Sequence, residues 1–286
     1  MGSYSVILTC RNSEETIVST LNSLNEQSVK PEYIIIIDDG SKDKTPNILK
    51  DFKLRSNNLH IITNPDMGYN IGRVVQNWNK AIRLAKEFKL KAVDYHMISA
   101  DDTIYEKDYC KKIIRCMDFD HSLVIASGNY DNNNYATPHG AGRLVRNSFF
   151  NLFYEFYPER MGYESVMFYY AIEHNFKYRI IKDATFVHTR KLGSNHNFYE
   201  FGASMRTLGY HPILALGRCL IYFVSGQPIG RLGSLSMLYH YMTYKPKTEG
   251  YDSIFDNTTR EVVRRIQKKK IRGLINKKKR IFMYNT

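Results

Sequence analysis

The apolar positions of this chain form short continuous runs, separated by longer stretches in which apolar residues recur at helical spacing. The short runs predict β-strands over residues 4–9, 33–37, 59–63, 95–99 and 123–126. Four consecutive isoleucines at 34–37 are typical of a strand that is buried on both faces. Helical spacing predicts helices over residues 14–27, with Ser13 as the N-cap, and over residues 71–88. Alternating strands and helices predict an α/β fold, with a mostly parallel sheet flanked by helices.

Beyond residue 129 the pattern is weaker. It predicts a polar loop over 131–134, a helix over 164–174 and short strands over 177–181 and 184–187. After residue 197 two apolar runs, 212–224 and 232–244, precede a basic helix over 261–280. We therefore predict two parts, a sheet-containing domain of residues 1–197 and a helical, basic segment of residues 198–286.

The composition is that of a globular protein with free cysteines. With 286 residues, 43% of them hydrophobic, the chain can bury a sizeable core. Its four cysteines include no Cys-X-X-Cys pair, which is typical of a reducing compartment. The first residues lead into a predicted strand without a basic region and a long apolar stretch, so we predict no signal peptide and a cytoplasmic location.

Positive charge is concentrated in the last part of the chain. The net charge is +13, and residues 245–286 contain 13 Lys or Arg against 4 Asp or Glu. Such a tail indicates an anionic partner, which can be membrane lipid, nucleic acid or a phosphorylated substrate.

Two adjacent carboxylates, Asp101 and Asp102, follow the strand predicted at 95–99. In open α/β sheets the crevice beyond the carboxyl ends of the strands binds ligands. Mg²⁺ and Mn²⁺ prefer oxygen ligands, usually one or two carboxylates together with phosphate oxygens of a substrate. The pair therefore fits either a cation site or a solvated turn. The chain has no Gly-X-Gly-X-X-Gly and no Walker sequence, so dinucleotide and P-loop chemistry are poorly supported.

Four blocks of sequence, taken together, carry a resemblance to a known family. They are Val-Ile-Leu-Thr-Cys-Arg-Asn-Ser-Glu-Glu at 6–15, Ile-Ile-Asp-Asp-Gly-Ser-Lys-Asp at 36–43, Gln-Asn-Trp-Asn-Lys-Ala at 76–81 and Ser-Ala-Asp-Asp at 99–102. In this order the chain resembles a family 2 glycosyltransferase with the GT-A fold, over roughly residues 4–190. The resemblance implies a nucleotide-diphospho-sugar donor, Mn²⁺ or Mg²⁺ as cofactor, and transfer with inversion to a glycan or lipid-linked acceptor.

The resemblance also implies residues that hold the donor. Asp39 is expected to accept the imide N–H of a uracil, since a carboxylate accepts more strongly than a neutral group. Glu14 or Glu15 is expected to hold ribose hydroxyls, and Asp38 to steady the turn that contains Gly40. The other residues expected at the donor site are Thr9, Arg11, Asn12, Asp66, Asn77, Asp101 and Arg190.

For the metal, the resemblance implies Asp102 as the direct ligand and His188 as a further ligand. Arg190 and Lys191 are expected to hold the diphosphate. The family often has an acid where this chain has Ser99, and this departure predicts a lower affinity for the metal.

Inverting transfer needs a general base to take the proton of the acceptor hydroxyl. In the family this base opens a helix that ends in a glycine turn. Counting back from Asn175, where the predicted helix ends, places Glu164 in the base position and Tyr163 where a Glu is common. The alternative is that Glu164 is a glutamate favoured by the helix dipole.

The apolar run at 212–224 contains Arg218 and is shorter than the roughly 20 residues that a transmembrane helix needs. Short apolar helices followed by a basic helix predict a segment that lies on an anionic membrane surface, on the inner face of the cell membrane. The alternatives are packing on the sheet-containing domain and a dimer interface.

Two other functional classes stay open at this point. Ser99 and Ser165, where acids are common, are compatible with an inactive scaffold of the same fold. The basic tail is compatible with a nucleic-acid-binding α/β protein, but few aromatic residues lie among its cations, so nucleic acid is an unlikely partner.

Overall fold

The computed structural model describes residues 1–130, 137–190 and 198–283, with the side chains of the last helix described to residue 273. The polar loop predicted at 131–134, Lys191, the domain boundary at 197 and the cations at 277–280 lie outside the described residues or side chains. In the described part of the chain, no helix is long and apolar enough to span a bilayer.

An eight-stranded sheet, in the order β3-β2-β1-β4-β7-β6-β8-β5, forms the centre of the fold. The strands are β1 (Tyr4–Cys10), β2 (Ile34–Asp38), β3 (Leu59–Thr63), β4 (Tyr95–Ala100), β5 (Thr103–Tyr105), β6 (Leu123–Tyr130), β7 (Arg143–Arg146) and β8 (Lys177–His188). Strands β3, β2, β1 and β4 are parallel neighbours, β7 is antiparallel to β4 and β6, and β5 is antiparallel to β8. The predicted α/β class is confirmed.

The helices on this sheet are α1 (Ile17–Asn25), α2 (Thr45–Leu54), α3 (Arg73–Glu87), α4 (Tyr109–Phe119) and α5 (Asn147–Phe153). They are followed along the chain by α6 (Tyr163–Glu173), α7 (Tyr199–Thr207), α8 (Pro212–Ser225), α9 (Gly230–Thr243) and α10 (Asn257–Met283).

The isoleucines of β2 are buried because helices cover both faces of the sheet. Ile34 and Ile36 belong to the core cluster that includes apolar residues of α1, α2 and α4. Ile35 and Ile37 point to the opposite face, where α3 packs on β1 and β2. Burying each such side chain contributes about 1.5–3 kcal/mol, so this strand is held firmly in register.

The chain forms two compact units. One comprises Met1–Pro158 and Asn175–Leu192, and the other comprises Glu159–His174 and Gly193–Thr286. This division differs from the predicted one, because α6 belongs to the unit of the C-terminal helices. Within that unit the Met161 N–H donates to the Tyr251 carbonyl at 2.7 Å and the Thr207 hydroxyl donates to the Met161 carbonyl at 2.7 Å.

Some local predictions were wrong. Helix α1 begins at Ile17 with Thr16 at the cap position, so Ser13 is not its N-cap. The two strands predicted at 177–181 and 184–187 are one strand, β8, whose pairing with β6 shifts register between Gly128 and Asn129. The sequence pattern also gave no indication of the short strands β5 and β7.

Candidate functional site

Three parallel strands end at the same edge of the sheet and bring the predicted acids together. Cys10 of β1 lies beside Asp38 of β2, and Thr9 of β1 lies beside Ala100 of β4. The segments that start at Arg11, Asp39 and Asp101 therefore leave the sheet side by side. This is the edge at which open α/β sheets bind ligands.

Asp39 is held by a cation that we did not predict from the sequence. The residue is 6% exposed, and the single N–H of Arg73 Nε is shared between its two carboxylate oxygens, at 3.1 Å from Oδ1 and 2.9 Å from Oδ2. Asn64 Nδ2 donates to Asp39 at 3.2 Å and to Asn77 Oδ1 at 2.9 Å, and Lys80 Nζ donates to Asn64 at 2.5 Å. Asp39 and Asn77 thus belong to one hydrogen-bonded cluster, and Arg73 balances the buried charge.

Asp38 acts through the turn that follows it. It is fully buried, and its Oδ1 accepts from the Ser41 N–H at 3.1 Å and from the Ser41 hydroxyl at 2.6 Å. Gly40 in this turn has a φ of +72°, and a Cβ there would lie 2.6 Å from the Asp66 Cα. Only glycine fits both restrictions. A fully buried Asp38 does not line a cleft, so its role is to position the turn.

Arg11 and Asp66 hold this turn from the outside. Arg11 donates to the Gly40 carbonyl at 3.1 Å, to the Asp39 carbonyl, and to Asp66 at 2.7 Å. Lys42 pairs with the same carboxylate at 2.6 Å. Hydrogen bonds from Lys42 and Arg11 hold the pKa of Asp66 well below its usual range. The ionised Asp66 carboxylate therefore links Arg11, which follows β1, to Lys42 in the turn that follows β2.

The residues after Arg11 brace the same turn and border a cleft. Asn12 accepts from the Lys42 N–H at 2.9 Å, and Glu14 accepts from the Lys44 N–H at 2.9 Å at the start of α2. The cleft, of about 540 Å³, is lined by Asn12, Ser13, Glu14, Glu15, Thr16, Lys42, Asp43 and Arg190. Glu14 and Glu15 are both exposed at this cleft, and the Glu14 carboxylate is already bound to the Lys44 N–H.

Asp102 and His188 lie together because β5 pairs with β8. The pairing sets Thr103 opposite His188, and His188 Nδ1 lies 3.0 Å from Asp102 Oδ1. Burial alone would raise the pKa of Asp102, but the hydrogen bond and charge of His188 and the charge of Arg190 outweigh it. The pKa of Asp102 therefore lies below its usual value, and the carboxylate is ionised at neutral pH.

Asp101 forms an ion pair with Arg190. Arg190 Nη2 lies 2.8 Å from Asp101 Oδ2 and donates to Thr16 Oγ1 at 3.1 Å, and the Ser13 hydroxyl also donates to Asp101. Burial raises the pKa of Asp101, although Arg190 and Ser13 oppose the rise. Ser13, predicted as a helix cap, instead joins the first segment to the third.

The side chains of Asp102 and His188 fit a divalent cation that takes its other ligands from a substrate. A carboxylate oxygen and an imidazole nitrogen are both ligands of Mn²⁺, and such ions usually keep waters or phosphate oxygens. The described residues contain no group of three or more His, Cys, Asp or Glu that could hold a metal by itself. Ser99 adds no ligand, since it is buried and its hydroxyl lies 2.9 Å from the Tyr105 hydroxyl.

Glu164 lies in the second unit, in the first turn of α6 after Gly162, whose φ is +101°. The sequence analysis missed another acid, Glu200, whose pKa is affected by the charge of Glu164. Glu200, in the first turn of α7, accepts from the Tyr251 hydroxyl at 2.7 Å. Burial, with the charge of Glu164 adding to it, raises the pKa of Glu200 to about 7.

The raised pKa of Glu200 makes stability depend on pH. The native state holds the Glu200 proton up to about pH 7, whereas the unfolded chain releases it near the ordinary value of 4.5. The free energy of unfolding therefore falls as the pH rises from about 4.5 to about 7. In Glu200→Gln this loss is absent. The free energy of unfolding of the variant, relative to that of the wild type, should therefore be about 3 kcal/mol higher at pH 8 than at pH 4.

Urea unfolding of both proteins at several pH values measures this difference. The control is Glu261→Gln, which changes an exposed glutamate of α10 and should leave the difference from the wild type constant with pH. A constant difference for Glu200→Gln as well would contradict the raised pKa.

A family model, described as Glycosyl transferase family 2, matches residues 5–183. The putative glycosyltransferase EpsH of Bacillus subtilis is 30% identical over 123 residues, which are 43% of this chain and 33% of that protein. The poly-beta-1,6-N-acetyl-D-glucosamine synthase of Staphylococcus aureus is 31% identical over 123 residues, which are 43% of this chain and 27% of that protein. The matches thus span a third or less of these relatives.

Solved structures show the same fold at low sequence identity. The mannosyltransferase PcManGT from Pyrobaculum calidifontis, in complex with GDP-Man and Mn²⁺, has a TM-score of 0.59 at 13% identity and covers 86% of this chain and 76% of its own. S. aureus TarS 1-349 in complex with UDP-GlcNAc has a TM-score of 0.54 at 16% identity and covers 84% of this chain and 71% of its own.

Proposed function

The chain belongs to glycosyl transferase family 2, and we propose that it moves a sugar from a nucleotide-diphospho-sugar to a hydroxyl or phosphate of an acceptor, with inversion. The observation that carries this proposal is the edge of the sheet where Asp39, Asp101 and Asp102 follow the ends of two strands that both pair with β1. One strand end supplies a buried carboxylate and the other a carboxylate beside His188. The buried carboxylate suits the nucleotide base of the donor, and the carboxylate beside His188 suits its metal-bound diphosphate.

In this proposal the donor lies along the edge of the sheet. Asp39, oriented by Arg73, accepts an N–H of the nucleotide base, and Asn77 and Thr9 border the same region. Glu15 holds the ribose, because the Glu14 carboxylate is already bound to the Lys44 N–H. The UDP-GlcNAc and GDP-Man complexes of the similar structures support a nucleotide-sugar donor.

A bound Mn²⁺ or Mg²⁺ would be held by Asp102 and His188 and would neutralise the developing charge of the diphosphate leaving group. Arg190 adds a fixed positive charge close to these residues, and its ion pair with Asp101 orients it. Ser13 and Thr16 hold that pair in place through hydrogen bonds. The Mn²⁺ in the PcManGT complex supports this choice of ion.

Glu164 is the proposed general base, which takes the proton of the acceptor hydroxyl as that oxygen attacks the sugar. Support comes from its position in the first turn of α6, which is the place that the family resemblance gives to the base. A glutamate in place of the aspartate that is common in the family keeps the carboxylate and lengthens the side chain.

The experiment that tests this function is incubation of the purified protein with UDP-, GDP- and dTDP-linked sugars and Mn²⁺. Release of one nucleoside diphosphate, accelerated by an acceptor extract, supports the proposal. If no nucleoside diphosphate forms with any donor and any acceptor fraction, the proposed sugar transfer is contradicted and the inactive-scaffold alternative is supported.

We also propose that the acceptor is lipid-linked or lies near a membrane, and that the protein binds the inner face of the cell membrane. Support comes from the outer sides of α8 and α9, which we call the apolar face. Ten large apolar side chains there are each 39–83% exposed: Ile213, Leu216, Leu220, Ile221, Phe223, Val224, Leu232, Leu235, Tyr239 and Met242. Exposed apolar surface of this extent marks an interaction site.

Charge favours an anionic bilayer over a second copy of this chain as the occupant. Residues 201–248 contain no Asp or Glu, whereas they contain Arg206, Arg218, Arg231, Lys245 and Lys247. Arg231, Lys245 and Lys247 are exposed at the two ends of α9. A helix pair with an apolar face and basic ends suits the headgroup layer, where anionic lipids attract the cations.

The double substitution Leu220→Asp with Leu235→Asp should lower binding to vesicles that contain phosphatidylglycerol by at least about 100-fold. The reason is that each leucine contributes about 1.5–3 kcal/mol on burial and each new carboxylate is repelled by the lipid. Vesicle sedimentation measures the binding. Leu54→Asp is the control, because Leu54 is 80% exposed on α2, in the other unit.

Equal sedimentation of the double variant and the wild type would contradict the proposed surface. Light scattering on the same samples tests the dimer alternative, which predicts a wild-type dimer that the double variant disrupts. Tight, salt-sensitive binding to duplex DNA without vesicle binding would favour a nucleic-acid partner.

A further inference from the structure

Arg218 is a cation of α8 that has no carboxylate partner in the described part of the chain. Its Nε donates to the Tyr222 hydroxyl at 3.1 Å, and its guanidinium lies 5.4 Å from the centroid of the Tyr222 ring. These neutral contacts leave the N–H groups of both terminal nitrogens without an anionic acceptor. A partly buried guanidinium that lacks a counterion is favourable only if another anion or water satisfies it.

Two tyrosines from other parts of the second unit lie near the same cation. Tyr169 of α6 and Tyr210, just before α8, are electrostatic neighbours of Arg218. Their rings meet edge to face, with centroids 5.9 Å apart, and Gln267 of α10 donates to the Tyr169 hydroxyl at 2.9 Å. Arg218 keeps its charge at neutral pH despite its burial, because a guanidinium is not deprotonated in proteins.

This cluster borders the apolar face. Ile221 lies three residues after Arg218 on α8, so the two side chains are neighbours on the helix surface, and Ile221 is 65% exposed. A ligand that reaches Arg218 from this side therefore meets apolar side chains first and the guanidinium next. Such an arrangement suits an amphiphile with an anionic head.

We propose that Arg218, with the hydroxyls of Tyr169, Tyr210 and Tyr222, binds the phosphate of an alkyl phosphate whose chain lies on the apolar face. A guanidinium binds phosphate through two parallel N–H donors, and phenol hydroxyls can donate further hydrogen bonds to the same oxygens. The proposal rests on the proposed function, in which the acceptor is lipid-linked. It adds a site for the acceptor's phosphate, separate from the residues proposed for the donor.

The test is calorimetric titration of farnesyl phosphate, inorganic phosphate and farnesol into the purified protein, at ligand concentrations that form no micelles. The wild type should bind farnesyl phosphate, and Arg218→Gln should weaken that binding by at least about 10-fold, the effect of losing a charge-assisted bidentate pair. Tyr222→Phe, which removes one hydroxyl, should weaken it by about 3-fold. Arg272→Gln, which changes an exposed cation of α10, is the control and should bind like the wild type.

The contradicting results are specific. A folded Arg218→Gln that binds farnesyl phosphate as tightly as the wild type would overturn the site. If that variant does not fold, Arg218→Lys is the test, because lysine lacks the planar guanidinium that binds phosphate through two N–H groups. An Arg218→Lys protein that binds farnesyl phosphate as tightly as the wild type would also overturn the site. If the wild type binds inorganic phosphate as tightly as farnesyl phosphate, the alkyl chain does not contribute to binding. If it binds farnesol as tightly as farnesyl phosphate, the phosphate does not contribute. Either result would overturn the proposed alkyl phosphate site.

UDP binding, measured on the same samples, separates this inference from the proposed function. Loss of farnesyl phosphate binding with UDP binding retained supports the Arg218 site alone. A protein that binds farnesyl phosphate through Arg218 but never binds a nucleotide would leave this site standing and would count against the donor proposal.

Discussion

Replacing Asp102 with alanine is expected to lower kcat/KM for sugar transfer by about 1,000-fold and to remove most of its dependence on Mn²⁺. The reason lies in the pairing of β5 with β8, which sets the Asp102 carboxylate 3.0 Å from His188. Without the carboxylate, a cation keeps one protein ligand and the leaving diphosphate loses most of its charge neutralisation. The measurement is a steady-state assay over a series of Mn²⁺ concentrations.

Asp51→Ala is the matched control for this substitution, because Asp51 is exposed on α2 and should not affect turnover. His188→Ala should show the same direction of change with a smaller loss, since the carboxylate remains. An Asp102→Ala protein that keeps wild-type kcat/KM and its Mn²⁺ response would contradict the metal assignment.

Replacing Glu164 with glutamine is expected to lower kcat by about 1,000-fold while the KM for the nucleotide sugar changes little, because general-base catalysis commonly contributes a factor of this size. The amide keeps the shape of the side chain and its place in the first turn of α6, but it cannot take a proton. Presteady-state measurement of product formation separates this chemical step from product release.

The control for this second prediction is Glu200→Gln, which removes the neighbouring acid but leaves the Glu164 carboxylate in place. We expect Glu200→Gln to keep most of kcat at pH 6, where the wild-type Glu200 is mostly protonated because its pKa is about 7. A Glu164→Gln protein as active as the wild type would show that another group is the base.

Much of the sheet could be predicted because its signals are local. The four isoleucines of β2 and the carboxylates after β4 each lie within a few consecutive residues, and period and composition identify them. Parallel order then follows from the intervening helices, which places the ends of the strands at one edge. The acids at 39, 101 and 102 could therefore be brought together without a structure.

The residues that the sequence analysis missed depend on contacts between distant positions. Arg73 binds Asp39 across 34 residues, and Tyr251 binds Glu200 across 51 residues. Neither pair has a spacing that marks it in a sequence. A buried carboxylate does require a cation or several donors, so the sequence indicates that Asp39 needs a partner without indicating which residue it is.

Ser13 illustrates how a correct local preference can serve another purpose. Serine before a helix is favoured as an N-cap, and this predicted its role in α1. In the structure the helix begins four residues later, and the Ser13 hydroxyl donates to Asp101. A contact across 88 residues outweighs the local preference, because it satisfies a mostly buried carboxylate.

The central claim is that the sheet edge near Asp39 and Asp102 binds a nucleoside diphosphate with a divalent cation. Calorimetric titration of UDP and GDP into the purified protein, with and without Mn²⁺, tests it most directly. We expect one of the two nucleotides to bind at least about 10-fold more tightly when Mn²⁺ is present. If neither nucleotide binds under any of these conditions, the donor site proposed here is wrong.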